Sequence, residues 1–221
     1  MCGSYGRTTA AEAYAKIIGA TVSPKLDDTA SYNRPPGTFQ LCALKNPDTG
    51  ELTLGPGWWG FIPNWAAGTK LAPINARSET AHEKKLFAKS FRHQRCLIAA
   101  DWWYEWQRAG DRKQPYAIQP KTQQPFFFAG IWSKASRLPD DHAASGQVTF
   151  AILTGPANDD IAHIHDRQPQ ALTAEAARKW LSPDKDISAL NGLLREGRYP
   201  AYESWVISES IGNRANDDYS I

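Results

Sequence analysis

The chain has 221 residues, of which 42% are hydrophobic and 22% charged, and its formal net charge is +2. This is the composition of a globular protein with one sizeable core, and the small net charge neither requires nor excludes a nucleic-acid partner. No apolar run approaches the ~20 residues of a membrane helix and the N-terminus lacks a signal-peptide pattern, so we expect a cytoplasmic protein without membrane association.

The predicted elements begin with a helix. A capping-box pattern at residues 9–12 predicts a helix that ends near Gly19, followed by loop over residues 20–37. Residues 39–44 and 51–54 predict a hairpin, which Gly55-Pro56-Gly57 is expected to end, and residues 64–79 an irregular connection. A second capping box predicts a helix over residues 80–90. The remaining predicted strands are 95–108, 114–119, 126–134, 148–154 and 202–208, and the remaining helices 158–163, 173–181 and 186–195.

The predicted strands come in consecutive groups rather than alternating with helices. This order favours an α+β fold with six or seven mostly antiparallel strands flanked by a few helices. There is no internal repeat or linker, so residues 1–221 are expected to form a single sheet-rich domain.

The three cysteines have no close spacing, which argues against a disulfide framework or a zinc site. Cys42 and Cys96 lie in apolar strand-like runs and are interpreted as inert buried thiols, whereas Cys2 lacks apolar surroundings. His163 and His165 have a spacing found in metal sites, but no carboxylate or cysteine stands at a convincing ligand spacing. We therefore expect no metal and no cofactor.

Cys2 can become the N-terminal residue, because a small residue at position 2 permits removal of Met1. Removal leaves an α-amine beside the thiol, and both groups are partly nucleophilic at neutral pH. The amine condenses with an aldehyde to an imine, and the sulfur can close a five-membered thiazolidine ring on the same carbon. The alternative is that Cys2 is an incidental residue of a loose terminus.

Five further residues are candidates for proton transfer or phosphate binding. Glu105 lies in a tryptophan-rich strand, where burial would raise its pKa toward neutrality, although strand alternation equally allows an outward-facing side chain. His165 suits proton transfer or a structural role, and Asn75 can orient a sugar or cap a turn. Arg77 and Arg167 match phosphate geometry but can equally be surface charges.

Several sequence motifs occur in a fixed order along the chain. They are Met1-Cys2-Gly3, Tyr32-Asn33 with Pro36-Gly37-Thr38, Trp59-Gly60, Ile74-Asn75-Ala76-Arg77-Ser78-Glu79-Thr80, Trp103-Tyr104-Glu105-Trp106 and Ile164-His165-Asp166-Arg167 with Pro169. This series closely resembles the SOS response-associated peptidase (SRAP) family, whose members capture abasic sites in single-stranded DNA. The resemblance spans nearly the whole chain and implies a barrel-like SRAP fold.

The resemblance implies that Cys2, freed of Met1, forms a thiazolidine link with the aldehyde of an abasic site. Asn75 would hold the sugar, and Glu105 and His165 would transfer protons. It also implies peptidase-like removal of the N-terminal extension, here Met1 alone, and a lyase side activity through β-elimination from the imine.

The implied partner is single-stranded DNA that contains an abasic site, bound by a monomer that joins the nucleoid when it acts on DNA. The implied DNA-binding residues are Arg77 and Arg167 on flanking phosphates, and Trp65 with the wall at Pro35 and Pro36 beside a neighbouring base. Three departures from the family pattern are expected to lie near the DNA path and to alter affinity rather than chemistry: Ser4, Arg34 with Pro35, and Gln168.

Two other classes of function fit the same residues. A cysteine peptidase or amidase would use Cys2 with His165 and Asn75. A non-covalent single-stranded DNA-binding module would have no use for Cys2.

Overall fold

The computed structural model describes residues 2–25, 27–46, 49–68, 70–110, 112–183 and 186–218. Met1 lies outside the described residues, as do Pro47, Asp48 and Asp111, which fall between predicted strands. The helices are α1 (Ala11–Ile18), α2 (Ala88–His93), α3 (Ala174–Trp180) and α4 (Ile187–Glu196), with a 3-10 turn at Glu209–Gly212. None of the helices in these ranges is long and apolar enough to cross a membrane.

The strands confirm the predicted sheet-rich α+β class with few helices. They are β1 (Tyr5–Arg7), β2 (Thr21–Val22), β3 (Ser31–Arg34), β4 (Phe39–Lys45), β5 (Leu52–Trp59), β6 (Asn75–Arg77), β7 (Arg95–Ala100), β8 (Trp102–Ala109), β9 (Arg112–Pro120), β10 (Phe126–Lys134), β11 (Val148–Pro156), β12 (Arg167–Pro169), β13 (Ala171–Leu172) and β14 (Tyr202–Val206).

The strands form two sheets. The larger has the order β12-β11-β10-β7-β4-β5-β2, with β6 added to β11 and β13 to β10. Most neighbouring strands of this sheet are antiparallel to each other. However, β5 also pairs in parallel with β11, so the sheet closes into a ring. The smaller sheet has the order β14-β9-β8-β1-β3 and is antiparallel throughout.

Alternating side chains of the ring strands build two apolar clusters, one on each face. Leu41 and Ala43 of β4 belong to the cluster that α1, α3 and α4 cover. Cys42, between them, belongs to the second cluster together with Trp103 and Cys2. Cys2 is completely buried, so the interpretation that it lacks apolar surroundings was wrong.

Several predicted boundaries were wrong because distant segments pair with them. Residues 20–37 contain β2 and β3 rather than loop alone, since β2 pairs with β5 and β3 with β1. Gly55, Pro56 and Gly57 continue β5 instead of ending it, and Gly57 is needed because an added Cβ would lie 2.9 Å from the Cβ of Cys42.

The element count was also wrong. Residues 95–108 form two strands that separate at Asp101, and the described residues contain 14 strands rather than six or seven. The predicted helix over residues 80–90 is mostly turns, with α2 beginning only at Ala88, and residues 158–163 form turns rather than a helix.

The start of α1 depends on a carboxylate from another segment. The capping box predicted at residues 9–12 is not formed, because the N-cap residue is Ala10, whose side chain cannot accept a hydrogen bond. Instead, the Asp28 carboxylate accepts from the Ala11 N–H at 2.9 and 3.1 Å. It also pairs with Nη1 of the buried Arg7 at 2.7 Å. Asp28 thus joins the helix cap to a buried cation.

Asp28→Ala is expected to lower the free energy of unfolding by about 3 kcal/mol, because it leaves the Arg7 guanidinium buried without its carboxylate and removes the cap. Asp28→Asn should lose less, since its amide oxygen still accepts from Ala11. Urea unfolding measures both variants. Asp27→Ala, at an exposed neighbouring carboxylate, is the control and should have far less effect. Equal losses at the two positions would contradict this role of Asp28.

Candidate active site

Strand pairing brings the N-terminal stretch alongside Glu105. β1 pairs antiparallel with β8, and Tyr5 lies opposite Trp103. Continued toward the start of the chain, this register brings Gly3 level with Glu105. Cys2 therefore lies close enough for the Glu105 charge to affect its thiol.

Asn75 fixes the main chain of Cys2. Asn75 begins β6, which pairs in parallel with β11, and its Nδ2 donates to the Cys2 carbonyl oxygen at 2.8 Å. Its Oδ1 is buried and has no hydrogen-bond partner among the described residues. That oxygen can therefore accept a hydrogen bond from an amine or from a sugar hydroxyl.

The side chain of Glu105 is buried, and only 2% of the residue is exposed. The outward-facing alternative is thereby excluded, and the expected rise of its pKa is confirmed. Burial raises the pKa of the Glu105 carboxyl to about 7, so near neutral pH it can both donate and accept a proton. Burial, and then the Glu105 charge, raise the pKa of the Cys2 thiol well above its usual range. The sulfur is therefore protonated at neutral pH.

His165 lies in the loop before β12 and lines the same cavity as Glu105. Gln107 donates through Nε2 to the His163 carbonyl oxygen at 2.9 Å, and the ring of Tyr116 contacts that of His163, so the loop is tied to β8 and β9. The Arg167 N–H and a carboxylate oxygen of Asp166 both lie 2.9 Å from Nδ1 of His165, so Nδ1 accepts from Arg167 or, when it carries the proton, donates to Asp166. Burial lowers the pKa of His165, so the neutral ring prevails at pH 7.

A cavity of about 270 Å³ opens between these two groups. Glu105 and His165 line it together with Trp106 and two cations, Arg108 and Lys113. The cations lie opposite each other across the β8–β9 hairpin. Sequence reasoning missed them, although both lie at the connection between the predicted strands 95–108 and 114–119. Their charges make this opening attractive to an anion.

The two arginines predicted to bind phosphate have different environments. Arg77 is exposed, and its guanidinium makes no ion pair or hydrogen bond within the described residues. It lines a second cavity of about 370 Å³ beside Asn75. Arg167 instead binds both carboxylate oxygens of Glu79, at 2.8 and 2.9 Å, and the Thr154 carbonyl oxygen at 2.8 Å. A phosphate at Arg167 therefore has to share the guanidinium with Glu79, a residue that sequence reasoning had not assigned a role.

Arg167→Ala is expected to lower the free energy of unfolding by about 2 kcal/mol, because it removes the bidentate pair with Glu79 and a bond to a buried carbonyl. Arg77→Ala is the matched control and should leave stability within about 0.5 kcal/mol, since it is an exposed surface change. Urea unfolding at pH 7 measures both. Unchanged stability of the Arg167 variant would show that the pair with Glu79 contributes little in solution.

Trp65 and Pro36 lie in separate loops. Trp65 is 54% exposed, so its ring can contact a base, and Pro36 is half-buried. Neither residue lines the cavities at Glu105 or Asn75.

Two of the three departures from the family pattern are buried. Ser4 donates from Oγ to Oδ1 of Asn33. Gln168 accepts through Oε1 from the Asn158 N–H at 2.8 Å. Their expected effect on DNA affinity stays a prediction. Arg34 is half-buried and donates to the Gln40 side chain at 3.2 Å.

These side chains come together without an evident metal site: no group of three or more His, Cys, Asp and Glu in the described ranges could hold a metal ion. The arrangement defines a class of protein, with a ring-like sheet that holds an N-terminal cysteine beside a buried carboxyl, a neutral histidine and a cationic opening. The family model described as "SOS response associated peptidase (SRAP)" matches residues 1–214. The chain therefore belongs to the SRAP family.

Comparisons with individual proteins agree with this assignment. The chain is 33% identical over 222 residues to "Abasic site processing protein YedK" of Escherichia coli K12, which covers 98% of this chain and 96% of the relative. It is 36% identical over 226 residues to "Abasic site processing protein YoaM" of Bacillus subtilis 168, with 98% and 95% covered.

Solved structures share the fold. A phage-related protein of Bordetella bronchiseptica superposes with a TM-score of 0.72 at 30% identity, over 94% of this chain and 95% of that one. A protein of Bacteroides thetaiotaomicron superposes with a TM-score of 0.82 over 99% and 97%, and at 23% identity it supports the fold alone.

Proposed function

We propose that this protein processes abasic sites in single-stranded DNA by capturing them covalently through Cys2, as a thiazolidine. The observation that carries the proposal is the hydrogen bond from Asn75 to the Cys2 carbonyl, which holds the N-terminal cysteine beside a carboxyl whose pKa is about 7. The relatives named as abasic site processing proteins support the same substrate.

The reaction begins at the nitrogen of Cys2, which becomes a free amine when Met1 is removed. The amine attacks the aldehyde carbon of the ring-opened sugar and forms a carbinolamine. Protonated Glu105 donates its proton to the leaving hydroxyl, water departs, and a protonated imine remains beside the Glu105 carboxylate. The Cys2 sulfur then adds to the carbon of this protonated imine. The thiol proton passes to the Glu105 carboxylate, the nitrogen keeps its hydrogen, and the five-membered ring closes.

The protonation states set the order of these steps. A thiol whose pKa is raised is a weak nucleophile, so the amine reacts first and the sulfur adds once it is held beside the imine carbon. His165 exchanges a proton with a sugar oxygen during ring opening. Asn75 accepts from the sugar or amine through Oδ1.

The DNA strand is held by charge and by stacking. The cations that bind its phosphates are Arg77, Arg108 and Lys113. Arg167 is a fourth, and it gives up part of its contact with Glu79 when it binds a phosphate. Trp65 and Pro36 lie beside a neighbouring base, and stacking on an aromatic side chain contributes ~1–3 kcal/mol per base without sequence preference. The aldehyde then selects the damaged strand.

Two side activities belong to the same proposal. Met1 is removed by the protein's own peptidase-like activity, which produces the amine. The imine also permits β-elimination, which cleaves the strand on the 3′ side of the lesion and makes the protein a lyase. We further propose that it acts as a monomer in the cytoplasm and on the nucleoid.

A denaturing gel tests the proposal. The protein is mixed with a single-stranded oligonucleotide that carries one abasic site, and a slowly migrating adduct is expected to survive denaturation. An oligonucleotide with a tetrahydrofuran abasic analogue is the matched control, because it has no aldehyde and should give no adduct. Intact-mass analysis of the same sample shows whether Met1 is absent. No adduct from a sample that lacks Met1 would refute covalent capture.

Acetylation of the α-amine separates capture from the rival cysteine peptidase. Acetylated protein with a free thiol should lose the adduct, whereas turnover by a peptidase that uses Cys2 with His165 should survive. A non-covalent binding module would retard both oligonucleotides equally on a native gel and give no adduct on a denaturing one.

A further inference from the structure

A cavity of about 600 Å³ lies apart from the candidate active site. Its lining comes from the β4–β5 hairpin, α2, the start of β7, β10 and the residues that follow α3. It shares no residue with the cavities at Glu105 and Asn75. Its volume is within the ~300–1,000 Å³ of small-molecule sites. The mechanism above makes no use of it.

The rim of this cavity is cationic. Lys45, Lys89 and Arg92 line it with exposed side chains, and none of them forms a salt bridge within the described residues. No carboxylate-bearing residue of the described part of the chain belongs to the lining. Glu51, next to the lining residue Gly50, accepts from the Thr21 hydroxyl at 3.1 Å, and the nearby Asp48 and Asp184 lie outside the described residues. Three like charges around one opening attract an anion.

The wall behind these cations is preformed. Arg95 donates to the carbonyl oxygens of Trp180 at 2.7 Å and Arg92 at 2.6 Å, and also to that of Ser182. Its guanidinium carbon lies 5.4 Å from the centre of the Trp180 ring. Arg95 therefore joins the end of α2 to the end of α3, so a ligand would meet a surface that needs little rearrangement.

The other side of the cavity is aromatic and apolar, with lining from Trp132, Leu181 and Pro183. We propose that the cavity binds a nucleotide, with its phosphate at Lys45, Lys89 and Arg92 and its base against Trp132. A planar base matches an indole beside a phosphate-binding rim. An acidic peptide would use the cations but not the aromatic wall. The nucleotide is free in solution or part of a DNA strand.

Calorimetric titration of the full-length protein tests this site with two probes. Adenosine 5′-monophosphate represents a free nucleotide, and an undamaged single-stranded decanucleotide represents a strand. Whichever of the two probes binds the wild type, the combined substitutions Lys89→Glu and Arg92→Glu are expected to weaken its binding by at least about tenfold. Lys16→Glu combined with Lys25→Glu makes the same charge change at exposed positions elsewhere and should stay within about twofold.

Trp132→Leu separates base recognition from charge. It should weaken binding of both nucleotide probes and leave inorganic pyrophosphate unaffected. Equal binding by the wild type and the Lys89/Arg92 variant would overturn the proposal, as would tighter binding of a polyglutamate peptide than of either nucleotide. Neither probe has an aldehyde, so covalent capture at Cys2 does not contribute. The strand probe is also titrated into Arg77→Ala, because a strand can bind the cations of the candidate active site, and the effect of the Lys89/Arg92 substitutions should persist in that background.

Discussion

Cys2→Ala is expected to abolish the stable adduct with abasic DNA, with a loss of at least about a hundredfold, because no sulfur remains to close the ring. The variant is prepared without Met1, which intact-mass analysis verifies, so the amine still lies beside Glu105. The imine therefore continues to form but hydrolyses. Denaturing gels with and without borohydride measure this, since reduction converts the imine into a stable amine and should restore the band.

The other two cysteines provide matched controls for that variant. Cys42 and Cys96 are buried and belong to the same apolar cluster as Cys2, but neither stands at the amino terminus. Cys42→Ala and Cys96→Ala should therefore form the adduct at the rate of the wild type. Unreduced adduct formation by Cys2→Ala at the wild-type rate would contradict the thiazolidine. Strand cleavage should increase in that variant, because an imine that cannot be captured by sulfur has more time for β-elimination.

The local patterns predicted much of the sheet. The runs that became β4, β7, β9, β10 and β11 have apolar or β-branched sequences of strand length, and the α+β class followed from their order. The ring could not be predicted in the same way. It depends on parallel pairing of Trp58 and Trp59 with Thr149 and Phe150, which are far apart in sequence. No local signal specifies such a partner.

In the candidate site, too, the sequence predicts the residue types, whereas their positions depend on contacts between distant segments. Glu105 could be selected as a carboxylate among tryptophans, but alternation left its direction open. The pairing of β1 with β8 and the loop that carries His165 enclose it, and both are tertiary contacts. Likewise, Arg167 could be selected as a phosphate ligand, while its bond to Glu79 joins residues 88 positions apart. Charge type is a property of the sequence, whereas the partner of a charge is a property of the fold.

Glu105 links the chemistry of this site to the stability of the fold. Its pKa is about 7 in the folded protein, above the ordinary value of 4.5 for a glutamate, which the unfolded chain is taken to have. Between these two values the folded state holds a proton that the unfolded state has lost. The free energy of unfolding therefore falls as the pH rises through this window, by about 3 kcal/mol in all. The site thus reduces stability at the pH at which it can transfer protons.

Glu105→Gln is expected to slow adduct formation by about a hundredfold at pH 7, because glutamine has a similar shape but cannot transfer a proton. The same substitution should remove the decrease in stability between pH 5 and 8 and leave the variant more stable than the wild type at pH 8. Adduct formation on denaturing gels and urea unfolding at several pH values measure the two effects. Glu12→Gln, at an exposed position of α1, is the control and should change neither.

The two measurements together separate a catalytic role for Glu105 from a structural one. A carboxyl that only held the N-terminal stretch in place would make the variant less stable at every pH, and the adduct would be lost through misplacement of Cys2. If Glu105 transfers protons and its ionisation lowers stability, the result at pH 8 should be the opposite. The Glu105→Gln variant should then react more slowly than the wild type and be more stable. Parallel stability profiles for variant and wild type would contradict the raised pKa, and an unchanged rate would remove Glu105 from the mechanism.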